Sequence, residues 1–357
     1  MKLTTALLMS SCLLQGATPG ERTTVATGEG YFPVLIQLKN GNLMGVFRGG
    51  APHVGVGGRL DTVTSTDNGR TWSKPKTVID GPEDDRNPAF GQLQNGDLIL
   101  AFSVLRGYDA TGLHLTAKKR SDRVIDGVYL MRSTDGGGTW SKPERSEPIH
   151  ELQKGGATIS SFGKLVQLRD GTVLMSVYCE FWDGRGNRAF VVRSHDNGKT
   201  WGDISLVGQD VNETALLGLP DGTLLAALRS VTTGHLSTSL SRDAGQTWSA
   251  PVLLTKDMEH PADLISLKNG DVLLTYGVRN APFGVAAVLS HDGGKTWDKE
   301  HKISLADDTG NIDCGYPSSV QLRDGRIVTM YYQVDDPANT PVSAKSKVVI
   351  WTIGGKN

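Results

Sequence analysis

Little in this chain's composition points to a strongly charged partner, a helical core or a membrane. Its 37 Lys and Arg nearly balance 38 Asp and Glu, for a formal net charge of −1, which argues against the basic surface that nucleic acid or another polyanion requires. No long helical period of apolar residues runs through it, so a helical fold is excluded. The apolar run within residues 1–17, behind a single lysine, is too short to span a bilayer and reads as an export signal. Within it, Met9-Ser-Ser-Cys12 also fits a lipoprotein cleavage site, with Cys12 as the lipidated residue. No linker interrupts the pattern between about residue 28 and residue 353, so the 357 residues carry one domain, 22–357, behind the leader.

What the chain has is repetition. Ser-x-Asp-x-Gly-x-Thr-Trp occurs five times, from Ser65, Ser133, Ser194, Ser241 and Ser290. A period of roughly 40–60 residues with strand-like flanks indicates propeller blades. Each phrase reads as a hairpin turn: the Asp bonds turn amides, the Gly takes a left-handed conformation, and the Trp buries its ring. Asp67, Asp135, Asp196, Asp243 and Asp292 are therefore architectural, although they resemble a metal or catalytic series.

A second repeat, Leu-x-Asn/Asp-Gly-x-Leu/Val/Ile, starts at Leu38, Leu93, Leu168, Leu219, Leu267 and Leu322 and sets the count at six. Asn-Gly and Asp-Gly between apolar runs are strong hairpin signals. The expected fold is all-β: a six-bladed propeller of four-stranded antiparallel blades. The sixth blade lacks its own fourth strand, so Arg22–Thr27 is expected to pair with Lys347–Ile353 and close the ring, leaving few exposed sheet edges. Cys179 and Cys314 then fall in the third and sixth blades, on opposite sides of the ring. A disulfide needs Cα atoms within about 7 Å, so two free thiols are expected.

In a propeller the first strand of each blade lines the channel, and its start lies at the channel mouth. Counting back from the inner-turn Leu, the mouth residues are Tyr31-Phe32, Arg86-Asn87, Ser161-Phe162, Asn212-Glu213, His260-Pro261 and Gly315-Tyr316. The second strands return Arg48, Tyr178, Glu180, Arg229, Arg279 and Tyr332 to the same end. Arginines, a glutamate, tyrosines and a histidine around one funnel suit an anionic or polyhydroxylated ligand. Trp182 could stack on a sugar or seat a blade contact.

These residues carry a family resemblance. The five phrases resemble the Asp boxes of the sialidase superfamily, over essentially the whole propeller. Asn212-Glu213 through Arg229 resembles the sialidase segment in which a Glu opens an inner strand and an Arg ends the next. Gly315-Tyr316-Pro-Ser-Ser-Val resembles the segment bearing the nucleophilic tyrosine. The resemblance implies Tyr316 as nucleophile, Glu213 as its base, and Arg229 and Arg279 as two arms of a carboxylate clamp. It implies no metal and no organic cofactor. The partner is a glycan or acidic sugar, and the chain is expected to be a monomer.

Two departures stand out. Tyr31 occupies the position of the family's first clamp arginine, so Arg48 or Arg86 would have to supply the third arm. The loop Gly49–Arg59, where the family keeps its aspartate acid/base, holds no carboxylate. His53, Asp61 and Asp85 are the candidates for that role, because histidine can act as a general acid near neutral pH. His260 could be a wall residue or a proton carrier. The leading expectation is an exported, sialidase-like exo-glycoside hydrolase. A propeller lyase or uronate-directed hydrolase, and a non-catalytic carbohydrate-binding propeller, remain the alternatives.

Overall fold

A computed structural model describes residues 18–112, 124–154, 156–335 and 343–354. The stretch read as an export signal lies outside them. The chain folds into an all-β propeller of four-stranded antiparallel blades. Blade one comprises Tyr31–Gln37, Leu43–Gly49, Arg59–Ser65 and Lys76–Ile79. Blade two comprises Asp84–Gln92, Leu98–Arg106, Val124–Ser133 and Glu144–Arg145. Blade three is Ala157–Gln167, Val173–Phe181, Gly186–Ser194 and Gly202–Gln209. Its first strand also pairs in parallel with that of blade two, at Gly163 against Ala89, which merges the two blades into one eight-stranded sheet. Blade four is Val211–Gly218, Leu224–Ser230, Leu236–Ser241 and Val252–Leu253. Blade five is Glu259–Ser266, Val272–Val278, Gly284–Ser290 and Ile303–Ala306.

Blade six is built from both ends of the described chain. Cys314–Gln321, Ile327–Val334 and Ala344–Thr352 supply three strands, and Thr18–Thr27 pairs antiparallel with the last of these, with Arg22 opposite Val349. Both strands begin a few residues earlier than the sequence pattern placed them.

The two repeats fold as their residue types dictate. In the inner turns the Gly sits at positive φ, 91° at Gly41 and 90° at Gly325, where a Cβ would be strained. In the first rim turn, Ser65 Oγ donates to Asp67 Oδ1 at 2.8 Å and accepts the Gly69 amide at 2.9 Å. Asp67 also accepts the Thr71 amide and hydroxyl, at 2.9 and 2.6 Å. The same Ser to Asp bond measures 2.8 Å in the other four turns. Each aspartate is thus consumed by its own turn, as an architectural residue should be.

The core lies between blades. Leu35, Phe47 and Val63 of blade one pack with Val328, Met330 and Val348 of blade six, and Val34, Val46 and Leu60 meet Phe90, Leu98 and Phe102 of blade two. Alternation along each strand sends one row of side chains to each neighbour, which is why the strands are apolar on both faces. Cys179 and Cys314 are buried free thiols. On the innermost strands, Lys164 bonds Asp263 at 2.7 Å and the Ser319 carbonyl at 2.6 Å. This part-buried tie joins blades three, five and six.

Candidate active site

The channel mouth is built on six irregularities at equivalent places. The first strand of every blade slips register against the second, near its start in five blades and mid-strand in blade three: Tyr31/Val34, Arg86/Ala89, Phe162/Val166, Val211/Thr214, Glu259/Ala262 and Gly315/Ser318. A bulge of this kind bends the strand and re-aims side chains. Phe32, Asn87 and Tyr316 occupy the same place in their blades and have φ of 54°, 53° and 48°. Such backbone costs of order 1–3 kcal/mol per residue and persists only when its surroundings hold it. Here the surroundings turn these side chains into the mouth.

The mouth encloses a cavity of about 230 Å³ lined by Tyr316, Glu213, Arg229, Arg279, Arg86 and His53, among others. The Tyr316 hydroxyl donates to Glu213 Oε1, and Arg229 Nη1 donates to Glu213 Oε2. Arg229 Nη1 lies 3.4 Å from the Tyr316 oxygen, and the Arg279 guanidinium is 5.5 Å from the Tyr316 ring centre. Burial first, then the Glu213 charge, pushes the phenol well above its ordinary pKa. It is a neutral donor at physiological pH. Burial opposes the Arg229 charge, but Glu213 outweighs it and raises the guanidinium's pKa.

Close backbone approach brings these blades together. A Cβ on Gly315 would lie 2.8 Å from Gly277 Cα, so glycine here lets the strands of blades five and six approach. Arg279 donates to the Cys314 carbonyl at 3.2 Å. The Nε atoms of Arg229 and Arg279 are buried without a protein partner. Arg86 completes the cationic wall, held by Asn87 at 2.8 Å and Asp84 at 3.2 Å above the Phe32 ring.

Arg48 serves another purpose. It is fully buried, its Nε donates to Asp84 at 2.7 Å, and its two other nitrogens bond the carbonyls of Ala51, Pro52 and Gly55. It fastens the loop that carries His53 and lies fully buried outside the cavity lining, so Arg86 is the third cation of the mouth. Tyr31 lies beneath it, with the Arg48 guanidinium 5.9 Å from its ring centre, and is fully buried outside the cavity lining.

The three acid candidates separate by position. Asp61 is buried against Arg59, 3.0 Å away. Asp85 accepts the Gly81 amide at 2.7 Å, and burial raises its pKa to about 6. Neither lines the cavity. His53 does, and its Nδ1 lies 2.8 Å from Asp313 Oδ1. The same oxygen accepts the Tyr332 hydroxyl at 2.6 Å. Burial works against the Asp313 charge, but hydrogen bonds and charge from His53, then Tyr332 and Arg279, keep its carboxyl below the usual range. Nothing periodic in the sequence pointed to Asp313, whose only signal was its place three residues before Tyr316. His260 is a buried wall residue outside the lining, with its pKa driven to about 2 by burial and by Arg229 and Arg279. Among the described residues, no group of three or more His, Cys, Asp or Glu side chains is arranged to hold a metal.

Residues 86–329 match the BNR repeat-like domain family, and residues 63–74 match a single BNR/Asp-box repeat. The chain belongs to the BNR repeat-like domain family. Its homology to sialidases is distant. It is 27% identical over 349 residues to a sialidase of Bacteroides fragilis, covering 89% of this chain and 62% of that protein. It is 25% identical over 246 residues to a sialidase of Micromonospora viridifaciens, covering 66% of this chain and 38% of that one. The chain therefore spans less than two thirds of the length of these curated relatives.

Among solved structures, a Dyadobacter fermentans protein of unknown function matches with a TM-score of 0.78 and 26% identity, over 95% of this chain and 99% of that one. The Streptococcus pneumoniae NanB sialidase, as its K499G mutant, matches with a TM-score of 0.70 and 14% identity, over 95% and 70% of the two chains. At that identity the likeness concerns the fold alone. This BNR repeat-like chain shares the sialidase propeller.

Proposed function

We propose that the protein is an exo-acting glycoside hydrolase that releases sialic acid or another acidic sugar from the end of a glycan. The observation that carries this reading is the Tyr316 hydroxyl bonded to Glu213, which Arg229 holds in turn, within a cavity whose other cations are Arg279 and Arg86. A neutral phenol can approach an anomeric carbon that bears a carboxylate without the repulsion a carboxylate nucleophile would meet. Two guanidiniums with buried, unpartnered Nε atoms are poised for an anion. The sialidase relatives support the same class of reaction.

In this scheme Tyr316 Oη attacks the anomeric carbon while its proton passes to Glu213. The bond to the leaving oxygen breaks, and that oxygen takes a proton from His53 Nε2. Water then adds to the anomeric carbon and gives its proton to His53. The bond to Tyr316 breaks, and the phenol regains its proton from Glu213. Arg86, Arg229 and Arg279 hold the substrate carboxylate throughout.

The test is turnover of a panel of acidic glycosides with product analysis, comparing the protein with its Tyr316→Phe variant. Release of a saturated sugar, lost in that variant, is the expected result. An unsaturated product would mark elimination, and binding without turnover a non-catalytic carbohydrate module. We also infer export through residues 1–17, which cell fractionation and N-terminal sequencing of the mature protein would test.

A further inference from the structure

Resting on that reading, we infer that Asp313 is the positioning residue of the acid/base: it fixes the His53 ring so that Nε2 is the nitrogen offered to the leaving oxygen. Three observations on different elements carry this. His53 stands in the loop between the second and third strands of blade one, while Asp313 immediately precedes the first strand of blade six. The contact therefore bridges two blades at the mouth. Asp313 Oδ1 receives both His53 Nδ1 at 2.8 Å and the Tyr332 hydroxyl at 2.6 Å. The ring itself is gripped edge-on by Phe32 and Tyr31, with centres 5.0 and 5.5 Å away.

The chemistry follows from donor and acceptor counts. An ionised carboxylate only accepts, so a hydrogen bond from Nδ1 places the proton on Nδ1. Whether the imidazole is neutral or charged, that nitrogen is occupied, and proton exchange with the cavity falls to Nε2. The same division of labour between a carboxylate and a histidine orients other acid/base imidazoles. Asp313 has a further support: its own amide donates to Asn311 Oδ1 at 2.6 Å.

The arrangement also sets acid and nucleophile in one frame. Asp313 and Tyr316 lie three residues apart on one segment, and Phe32 packs between His53 and Tyr316, 5.0 Å from one ring centre and 4.9 Å from the other. The segment carrying the nucleophile thus also aims the acid, through one carboxylate. A loop without any carboxylate can in this way still present a proton donor.

Asp313→Asn retains the shape but offers an amide where a carboxylate stood. On acidic glycosides with natural sugar leaving groups, kcat is expected to fall by about 100-fold or more, with KM changed less than about twofold. On the corresponding nitrophenyl glycosides, whose leaving group needs little protonation, kcat is expected to stay within about fivefold. His53→Ala should show the same selectivity, the double variant should be no worse than His53→Ala alone, and Asp313→Glu should recover part of the loss. Equal losses on both leaving groups, or additive losses in the double variant, would overturn the assignment.

A readout independent of turnover is the ring tautomer, measured by ¹⁵N NMR of histidine-labelled protein. The Nδ1–H form should dominate in the wild type and lose that dominance in Asp313→Asn. The same tautomer in both proteins would also overturn the inference. If Tyr316→Phe keeps full activity while the leaving-group and tautomer results hold, the nucleophile assignment fails and the positioning role stands.

Discussion

The rim and the mouth of this propeller are built from the same repeated strands, yet they treat repetition in opposite ways. At the rim, five turns carry the same side chains and the same bond, Ser Oγ to Asp Oδ1 at 2.8 Å each time. At the mouth, six equivalent positions hold Phe32, Asn87, Phe162, Glu213, Pro261 and Tyr316. Where a residue answers only to its own turn, one solution serves every blade. Where six strands face a common space, identical residues would be useless, because the proposed site needs a nucleophile, a base and cations in different places. Chemistry enters this fold where the repeat is broken.

The carboxylates sharpen the contrast. Those of the rim turns are stabilised as anions by their own turn and sit near a pKa of 2. Near the loop that carries His53, burial raises Asp85 to about 6, and burial with the neighbouring Asp61 raises Glu29 to about 7. The rim uses charge to hold structure. The inner region bears the cost of burying it.

The sharpest way to break the comparison is at Tyr316. Tyr316→Phe should lower kcat by about 10³-fold or more while the thermal unfolding midpoint stays essentially unchanged, because only the hydroxyl and its bond to Glu213 are removed. A variant that keeps activity would make the mouth as structural as the rim.

Arg48→Met tests the opposite kind of mouth residue. Removing a fully buried partner of Asp84 and of three loop carbonyls should cost about 3–5 kcal/mol of stability in urea titrations, since polar groups are left buried and unpaired. Arg279→Ala should weaken binding of an acidic sugar about tenfold to a hundredfold by calorimetry, and leave a neutral analogue unaffected. Equal losses for both ligands would show that the cationic wall does not hold the carboxylate.

The smallest effect concerns acid stability. The rim carboxylates have folded pKa values near 2, below the ordinary value of about 4, so their contribution is present above pH 4 and is lost as pH falls from about 4 to about 2. Asp67→Asn should flatten part of that slope in unfolding midpoints measured across this range. Asp85 has the opposite sign: its raised pKa means stability is lost as pH rises from about 4 to about 6. Asp85→Asn should remove part of that loss, and an unchanged profile would show that its burial carries no pH linkage.

The blade pattern and the turn types were legible because each rests on a local signal, and the pairing of Arg22–Thr27 with Lys347–Ile353 was legible because the sixth blade lacked a fourth strand; the paired strands run longer, over Thr18–Thr27 and Ala344–Thr352. Asn-Gly, Asp-Gly and Ser-x-Asp turns declare themselves within eight residues. Part of the site was legible for the same reason: equivalence between blades sends Tyr316, Glu213, Arg86 and the ends of the second strands to one mouth. Arg48, Tyr31 and His260 came from the same reasoning, and Asp61 and Asp85 from their nearness to the Gly49–Arg59 loop, yet all five lie outside the cavity lining. Position along a strand does not say whether a side chain faces the cavity or the blade behind it.

The sequence by itself therefore determined the repeat, the hairpins, the all-β class and the polar character of the mouth, since these follow from turn chemistry and spacing along the chain. Only the tertiary structure decided which guanidiniums keep an unpaired donor. Arg48 spends its donors on loop carbonyls, whereas Arg229 and Arg279 keep a buried Nε unpaired. It alone brought Asp313 to His53, two residues 260 positions apart. That contact depends on blades one and six meeting when the ring closes, and no spacing within either blade encodes it.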